Sequence, residues 1–154
     1  MPDRHVLILA AGKGTRMKSS RPKVLHPLAG LTLIEHVIRA SRPLKAATTN
    51  IVLGHQSQRV TELLTHNRAM SCGVVYQEQQ LGTAHALLQA EPVLSNKSGT
   101  LIVLSGDAPL ISPSTLSLLV EAHEQSSAAA CVLSSIIERP VSYTHLTLPT
   151  NREV

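Results

Sequence analysis

The chain has 154 residues, room for about one domain, of which 43% are hydrophobic and 16% are charged, with a net charge of +4. This composition excludes a disordered tail, because a chain of this size can bury roughly 68–70% of its unfolded surface in a core. With Tyr76 and Tyr143 as its only aromatic residues, the chain lacks the stacking platforms of single-strand nucleic-acid binders, so no nucleic-acid partner is expected.

Strand-type and helix-type segments alternate along the chain. The strand-type runs, mostly continuous apolar stretches, are residues 5–10, 50–54, 73–77, 100–105 and 128–134. The helix-type segments, each with its inward-facing residues, begin at a Thr32-x-x-Glu35 capping box (Ile34, Val37, Ile38), at Ser57 (Val60, Leu63, Leu64), at a Thr83 cap (Ala84, Leu87, Leu88) and at Ser112 with Pro113 (Leu116, Leu119, Val120). This alternation predicts an α/β fold: a mainly parallel sheet with right-handed crossovers and helices on both faces.

Targeting and redox signals are weak. No uninterrupted apolar stretch approaches the ~20 residues that span a bilayer, and the apolar run at residues 6–9 is too short for a signal peptide. Cys72 and Cys131 lie far apart in ordinary apolar surroundings, without a Cys-x-x-Cys motif or a His/Cys cluster. We therefore predict a cytoplasmic protein with buried or incidental thiols and no membrane partner.

Positive charge is concentrated near the N-terminus. Residues 1–45 carry nine Lys and Arg against Asp3 and Glu35, a sum of +7, whereas the rest of the chain sums to −3. Five of these cations fall between Lys13 and Lys23 with no acidic residue among them. This concentration favours an anionic ligand near the N-terminus.

A loop of small residues, 9–17 (LAAGKGTRM), follows the first strand-type run. Its glycines let backbone N–H groups approach a ligand, and the cations in and after it match phosphate charge. The loop fits no standard motif: Met17 stands at the third glycine of a dinucleotide fingerprint, and Leu7 at the first glycine of a Walker A loop. A plain strand-to-helix turn with solvated cations explains the spacing equally well.

Residues 9–17, followed by 22–25 (PKVL), resemble the signature of sugar-nucleotide pyrophosphorylases. The resemblance is to the uridylyltransferase domains of bacterial bifunctional N-acetylglucosamine-1-phosphate uridylyltransferase/glucosamine-1-phosphate acetyltransferases. Further segments agree in order, namely Gly54 with His55, 77–85 (QEQQLGTAH) and 105–111 (SGDAPLI). The resemblance runs from about residue 5 to about residue 140, and it implies a Rossmann-like fold of the nucleotide-diphospho-sugar transferase type, incomplete at the C-terminus.

The resemblance implies a reaction in which UTP and N-acetylglucosamine 1-phosphate give UDP-N-acetylglucosamine and pyrophosphate, with Mg²⁺ as cofactor. It implies that Arg16 and Lys23 are the catalytic pair facing the triphosphate and that Asp107 is a Mg²⁺ ligand. The implied substrate-binding residues are Leu9, Ala10, Ala11, Gly12, Lys23, Gln77, Gly82, Thr83, Ser105, Gly106 and Asp107. From local pattern alone, Gln77 also fits an exposed strand-end glutamine, and Asp107 a turn or helix-cap residue. The family usually has an aromatic residue where Ser105 stands.

The resemblance stops after Pro140. Residues 141–154 (VSYTHLTLPTNREV) resemble translated adapter or vector sequence, so we expect residues 1–140 to form a partial nucleotidyltransferase domain. The rest of the sugar pocket, a second Mg²⁺ ligand and the acetyltransferase domain, through which full-length members are expected to form trimers, are expected to lie outside these residues. Acetyl transfer is therefore not expected, and nucleotide binding is expected to be retained more readily than catalysis.

Two other functions stay open: a related nucleotidyltransferase that uses CTP or GTP, and a noncatalytic fragment that binds nucleotide. The resemblance implies that Gln77, Gly82 and Thr83 read the uracil ring, which favours uridine. A planar amide beside exposed backbone suits a base edge. The eight histidines show no zinc-type i,i+4 pair, and the serines lack a Gly-x-Ser-x-Gly elbow. Zinc and hydrolytic triad chemistry are therefore not predicted.

Overall fold

The computed structural model describes residues 2–12, 14, 17–54, 57–66, 72–126 and 128–135. Its strands are β1 (Arg4–Ala10), β2 (Pro27–Leu28), β3 (Leu31–Thr32), β4 (Thr48–Leu53), β5 (Gly73–Tyr76) and β6 (Thr100–Ser105). Its α-helices are α1 (Leu33–Ser41), α2 (Ser57–His66), α3 (Thr83–Leu88), α4 (Glu91–Leu94) and α5 (Pro113–Gln125), and two short 3₁₀ turns cover Lys23–Leu25 and Arg42–Leu44.

The main sheet of the described chain is parallel and has the strand order β5-β4-β1-β6. The first strand is central: Val6 lies opposite Thr49 of β4 on one side and Ile102 of β6 on the other. The sequence prediction of a mainly parallel α/β sheet is therefore confirmed. The strands begin up to two residues earlier or end one residue earlier than the apolar runs, because pairing with a neighbour sets their ends.

A small hairpin leads into the first helix. Antiparallel β2 and β3 are joined through Ala29 and Gly30, which both have positive φ angles, 46° and 84°, as a two-residue type I′ turn requires. Thr32 then begins α1 with the predicted capping box, in which its backbone N–H donates to Oε2 of Glu35 at 2.7 Å. This box is local in sequence, which explains why the pattern predicts the start of α1 correctly.

Helices cover both faces of the sheet, as predicted. A larger core packs α1, α2 and α5 against one face; examples from its members are Val6, Ile8, Ile34, Val37, Val60, Leu64, Leu116 and Val120. A smaller core packs α3 against the other face; its buried members are Leu7, Ala11, Val52, Val75, Ala86 and Ala90. The unequal cores matter for the site, because the loop after β5 leads into α3 on the thinner side.

The predicted inward face of α3 is wrong. Leu87 and Leu88 are 37% and 62% exposed, whereas Ala86 is buried at 4%. Small side chains let this short helix lie close to the sheet, so alanines and not leucines fill the contact. Thr83 is also not the cap: the N-cap is Gly82, and no side-chain cap bond forms there.

The predicted strand at residues 128–134 is wrong as well. Residue 127 lies outside the described chain, and 128–135 form neither helix nor strand and are exposed. A continuous apolar run makes a strand only where a neighbouring strand offers backbone partners, and no described strand pairs with this segment. Cys131 lies there with a free, exposed thiol; Cys72 is also free and half-buried, and burial raises its pKa despite the nearby Arg42.

An ion pair joins α5 to the sheet at the end where β1 begins. Nε and Nη2 of Arg4 donate to the two carboxylate oxygens of Glu124 in α5, both at 2.8 Å. The hydrogen bond from Arg4 holds the pKa of Glu124 below its usual value. This pair fastens the last turn of α5 to the first residue of β1, at the opposite end from the loops considered next.

Candidate functional site

The carboxyl ends of β1, β5 and β6 lie at one edge of the sheet, because these strands are parallel. The segments predicted to bind substrate begin there, at residues 9–12, 77–83 and 105–107. Backbone and side-chain contacts join them: the N–H of Gly106 donates to the carbonyl of Leu9 at 2.9 Å, and Nε2 of Gln80 donates to the carbonyl of Ala11 at 2.6 Å. The fold therefore gathers the three segments into one region.

An ion pair links the region after β1 to the loop after β6. Nζ of Lys23 donates to Oδ2 of Asp107, and the hydroxyl of Ser105 donates to Oδ1 of the same carboxylate. The side chains of Lys23 and Asp107 are 33% and 30% exposed. Burial alone would raise the pKa of Asp107, but the hydrogen bonds from Lys23 and Ser105 outweigh it and hold that pKa below its ordinary value. Asp107 is therefore ionised at neutral pH.

Lys23 is positioned by its own short turn and by a glycine. Val24 and Leu25 follow it into the larger core. Gly14 has φ +61°, and a Cβ at this position would lie 2.7 Å from Cβ of Lys23, so both the left-handed backbone and the close approach require glycine. Lys13, Thr15 and Arg16 lie outside the described residues, and the catalytic role of Arg16 stays a prediction.

The end of β1 and the two residues that follow it lead from the core to the protein surface. Leu9 and Ala10 are half-buried, Ala11 is buried, and Gly12 is exposed. A Cβ on Gly12 would meet no atom within 4 Å. The main chain at Gly12 is therefore free to be approached by a ligand, although the fold itself does not require glycine there.

Gln80 is a site residue that the sequence analysis did not single out. Its hydrogen bond to the carbonyl of Ala11 lies against Gly54, the residue after β4. A Cβ on Gly54 would lie 2.7 Å from both the Ala11 oxygen and Nε2 of Gln80. Gly54 is therefore needed for this contact. Gln80 belongs to a run with Gln77 and Gln79, and nothing in the local pattern distinguishes the three amides.

Gln77 is buried, with only 4% of its surface exposed, so the interpretation as an exposed strand-end glutamine is wrong. Its backbone N–H donates to the carbonyl of Leu53 at 2.7 Å, which extends the pairing of β5 with β4 by one residue. Its Nε2 donates to the carbonyl of Gly82 at 3.1 Å and lies 2.9 Å from Nδ1 of His85. Sequence reasoning did not single out His85.

Gly82 and Thr83 form the start of α3. Gly82 has φ 100° and ψ −178°, a conformation that is essentially restricted to glycine. Thr83 is exposed. The turn thus leaves the Gly82 carbonyl facing the Gln77 amide, and a side chain at residue 82 would strain it.

A cavity of about 260 Å³ lies beside the start of α3. It is lined by Tyr76, Glu78, Gln79, His85 and Gln89. None of the substrate-binding residues predicted from the sequence lines it. Glu78 is its only formally charged lining residue, and it is acidic, so the cavity does not suit a triphosphate. Lys23 and Asp107 lie outside this cavity and contact each other between the region after β1 and the loop after β6.

Metal and membrane features are limited in the part of the chain that the structure describes. No group of three or more His, Cys, Asp or Glu side chains is arranged to hold a metal ion there, so Asp107 is considered as a single carboxylate. None of the described helices has both the length and the apolar character needed to cross a membrane.

Comparison with known proteins gives a family match over most of the chain. Residues 6–152 match the family described as "MobA-like NTP transferase domain". The chain is 43% identical over 143 residues to the "Bifunctional protein GlmU" of Listeria welshimeri, covering 93% of this chain and 30% of that protein. It is 42% identical over 154 residues to the protein of the same name from Bacillus mycoides, covering 100% of this chain and 33% of that protein. The chain thus spans about a third of these relatives' length.

Solved structures show the same fold. A nucleotidyl transferase from Methanothermobacter has a TM-score of 0.64 at 27% identity, covering 77% of this chain and 57% of that one. Rv0371c from Mycobacterium tuberculosis has a TM-score of 0.67 at 21% identity, covering 79% and 61%. A UDP-glucose pyrophosphorylase complexed with UDP-glucose has a TM-score of 0.64 at 22% identity, covering 80% and 54%. The last two likenesses establish the fold alone.

Proposed function

Because the chain belongs to the MobA-like NTP transferase domain family, we propose that it is the uridylyl-transferring part of an enzyme that makes UDP-N-acetylglucosamine. The substrates are UTP and N-acetylglucosamine 1-phosphate, and the second product is pyrophosphate. The observation that carries the proposal is the contact between Lys23 and Asp107. This contact joins a cation for the triphosphate, from the turn Lys23–Leu25, to an acid suited to a divalent metal, from the loop after β6.

The nucleotide end of the proposed site lies on the loops after β1 and β5. Main-chain groups of residues 9–12 would hold the uridine nucleotide, and the exposed backbone at Gly12 supports this role. Gln77, with Gly82 and Thr83, would read the uracil. Burial of the Gln77 amide supports this assignment, since a fixed amide discriminates between base edges better than a mobile one.

The phosphate end is built from Lys23, Arg16 and the loop of Ser105, Gly106 and Asp107. Asp107 fits Mg²⁺: its oxygens are hard donors, it is ionised and it is partly exposed. Lys23 and Ser105 use two of the carboxylate's roughly four lone-pair positions, which leaves capacity for a cation. Mg²⁺ takes one or two carboxylates and fills its shell with waters and phosphate oxygens. Bound there, it would neutralise charge on the triphosphate.

In the proposed reaction, a phosphate oxygen of N-acetylglucosamine 1-phosphate attacks the α-phosphorus of UTP in line. The bond from the α-phosphorus to the bridging oxygen breaks, and pyrophosphate leaves with the electron pair. No covalent intermediate with the protein is needed, so the side chains align two polyanions and offset their repulsion. Lys23 and Arg16 supply that positive charge in a partly desolvated cleft, where it is worth more than in water.

The proposal is tested by two measurements on the 154-residue chain. The first is Mg²⁺-dependent release of pyrophosphate from UTP and N-acetylglucosamine 1-phosphate. The second is the thermal shift with UTP, CTP, GTP and ATP, because a ligand that binds the native state stabilises it by mass action. UTP is expected to give the largest shift. A larger shift with CTP or GTP would favour the other nucleotidyltransferases, and binding without pyrophosphate release would favour a noncatalytic fragment.

A matched pair of lysine variants controls the assignment of Lys23. Lys97 is exposed and precedes β6, at the other end of the sheet from Asp107. Lys97→Met should leave the UTP shift unchanged, whereas Lys23→Met should reduce it. The cytoplasmic location, the trimeric assembly and the separate tail at residues 141–154 stay predictions, and residues 136–154 lie outside the described chain.

A further inference from the structure

The hydrogen bonds of Gln77 fix which way its amide group faces. One amide atom lies within hydrogen-bond distance of both the Gly82 carbonyl, at 3.1 Å, and Nδ1 of His85, at 2.9 Å. A carbonyl oxygen only accepts, so the shared amide atom must be the nitrogen. Both hydrogens of the Gln77 NH₂ group are then donated, one to Gly82 and one to His85.

This arrangement also determines which ring nitrogen of His85 carries the proton. Its Nδ1 accepts from Gln77, so this nitrogen carries no proton, and in a neutral ring the proton is on Nε2. Nε2 of Gln89 lies 3.2 Å from that Nε2. Because two N–H donors would face each other there, this assignment requires the Gln89 amide to be turned, so that its oxygen accepts the Nε2 proton. Gln89 lies one helical turn after His85, at the C-cap of α3. The same short helix therefore positions both His85 and Gln89.

As a consequence, only the carbonyl oxygen of the Gln77 amide is left to form a hydrogen bond with a ligand. Among the described residues its carbonyl oxygen Oε1 accepts no hydrogen bond, whereas its Nε2 is fully used. A fixed lone acceptor pairs with a ring N–H. Uracil carries such a donor at N3, while cytosine has a bare acceptor at N3. An amide free to turn would present a donor to cytosine as readily.

We propose that His85 is a positioning residue that sets base specificity by holding the Gln77 amide with its oxygen available for the uracil N3–H. This inference rests on the proposed uridine-binding function. His85 itself does not touch the nucleotide. It acts through Gln77, together with the Gly82 carbonyl that holds the other hydrogen.

The ratio of UTP to CTP affinity in the presence of Mg²⁺, measured by titration calorimetry, tests this role in three variants. His85→Ala should lower the ratio about fivefold, the size of one lost hydrogen bond. His85→Asn should retain the ratio, because its Oδ1 takes the place of Nδ1 as an acceptor. Gln79→Ala, a neighbouring exposed glutamine, is the matched control and should leave the ratio unchanged.

The outcomes separate the two proposals. An unchanged ratio in His85→Ala, with wild-type preference for UTP intact, overturns the role of His85 and leaves the proposed function standing. A wild-type chain without preference for UTP overturns the uridine function, and the role of His85 with it. An equal loss of UTP and CTP affinity in both His85 variants shows a merely structural residue and also overturns the inference.

A second measurement needs no nucleotide and no substituted chain. A long-range ¹H–¹⁵N spectrum of the imidazole rings in the ligand-free protein should show His85 as the Nε2–H tautomer with an unprotonated Nδ1. Finding the proton on Nδ1 would mean that His85 donates to Gln77, and it would overturn the assigned amide orientation.

Discussion

The two ends of the proposed site are built from different chemistry. The phosphate end, Lys23 with Asp107 and Ser105, is charged and about one-third exposed. The base end, Gln77 with Gly82 and His85, contains no Asp, Glu, Lys or Arg, and Gln77 at its centre is 4% exposed. Charge acts over distance and tolerates solvent, whereas discrimination between bases needs fixed donors and acceptors. We therefore expect that turnover and base specificity can be altered separately at the proposed site.

Removing charge at the phosphate end should have the largest effect. Lys23→Met and Arg16→Ala are each expected to lower turnover by roughly 10²–10³-fold, the usual cost of losing one group that stabilises transition-state charge. UTP affinity should fall much less, because the uridine contacts are intact. Pyrophosphate release under saturating substrate and UTP titration give the two numbers, with Lys97→Met as the control. A variant that keeps full turnover removes its residue from the catalytic set.

Two glycine substitutions distinguish a glycine needed for its backbone conformation, Gly82, from one that leaves the main chain open to a ligand, Gly12. Gly82→Ala forces a side chain onto a φ of +100°, which should cost about 1–3 kcal/mol in free energy of unfolding. Gly12→Ala adds a Cβ that meets no protein atom within 4 Å, so it should leave unfolding nearly unchanged while weakening UTP binding. Urea unfolding and UTP titration of both variants check this. Equal stability losses in the two would contradict the strain argument.

Gln80→Ala should have a moderate effect that reaches the nucleotide loop indirectly. It removes the 2.6 Å bond to the Ala11 carbonyl, and one such bond is worth about 1 kcal/mol. We expect UTP affinity to drop about fivefold with the UTP to CTP ratio preserved, since Gln77 keeps its partners. A changed ratio would show that the two amides are not independent.

The smallest effect is expected far from the site, in the pH dependence of stability. The hydrogen bond from Arg4 lowers the pKa of Glu124 in the folded chain. Its stabilisation is therefore present above the ordinary pKa of the glutamate in the unfolded chain and is lost as the pH falls through the lower pKa of the folded chain. Glu124→Gln should flatten the decline of the unfolding midpoint in that acidic range. UTP binding at neutral pH should not change, and a change would show coupling between the two ends of the sheet.

The sequence predicts well what is decided by neighbours in the chain. The capping box at Thr32 and Glu35, four of the five predicted strand runs, and the Ser112 cap with Pro113 appear in the structure. The inward face of α3 was predicted wrongly, because closeness to the sheet selects Ala86 over larger neighbours. The exposed segment 128–135 shows the same limit, since an apolar run does not reveal whether a strand lies beside it.

The candidate site shows the limit most clearly. The resemblance points to Lys23, Gln77 and Asp107, but it does not show that Lys23 contacts Asp107, which lies 84 residues further along the chain. Gln80 is one of several glutamines in its loop, and its partner Ala11 is 69 residues away. Ser105 departs from the usual family residue, yet its hydroxyl bonds Asp107. The bond from Ser105 to Asp107 is local, whereas the contacts of Gln80 with Ala11 and of Lys23 with Asp107 depend on how strands are ordered in the sheet, which no local pattern contains.

The bond between Gln80 and Ala11 has a consequence for the thermodynamics of ligand entry. It holds the backbone at Ala11 through a contact within the protein, with Gly54 leaving the space that the contact needs, so the proposed nucleotide loop would be ordered there before binding. The entropy of ordering that backbone is thus lost during folding and not during association. A preorganised rim of this kind spends less of the ligand's interaction energy on immobilising the protein.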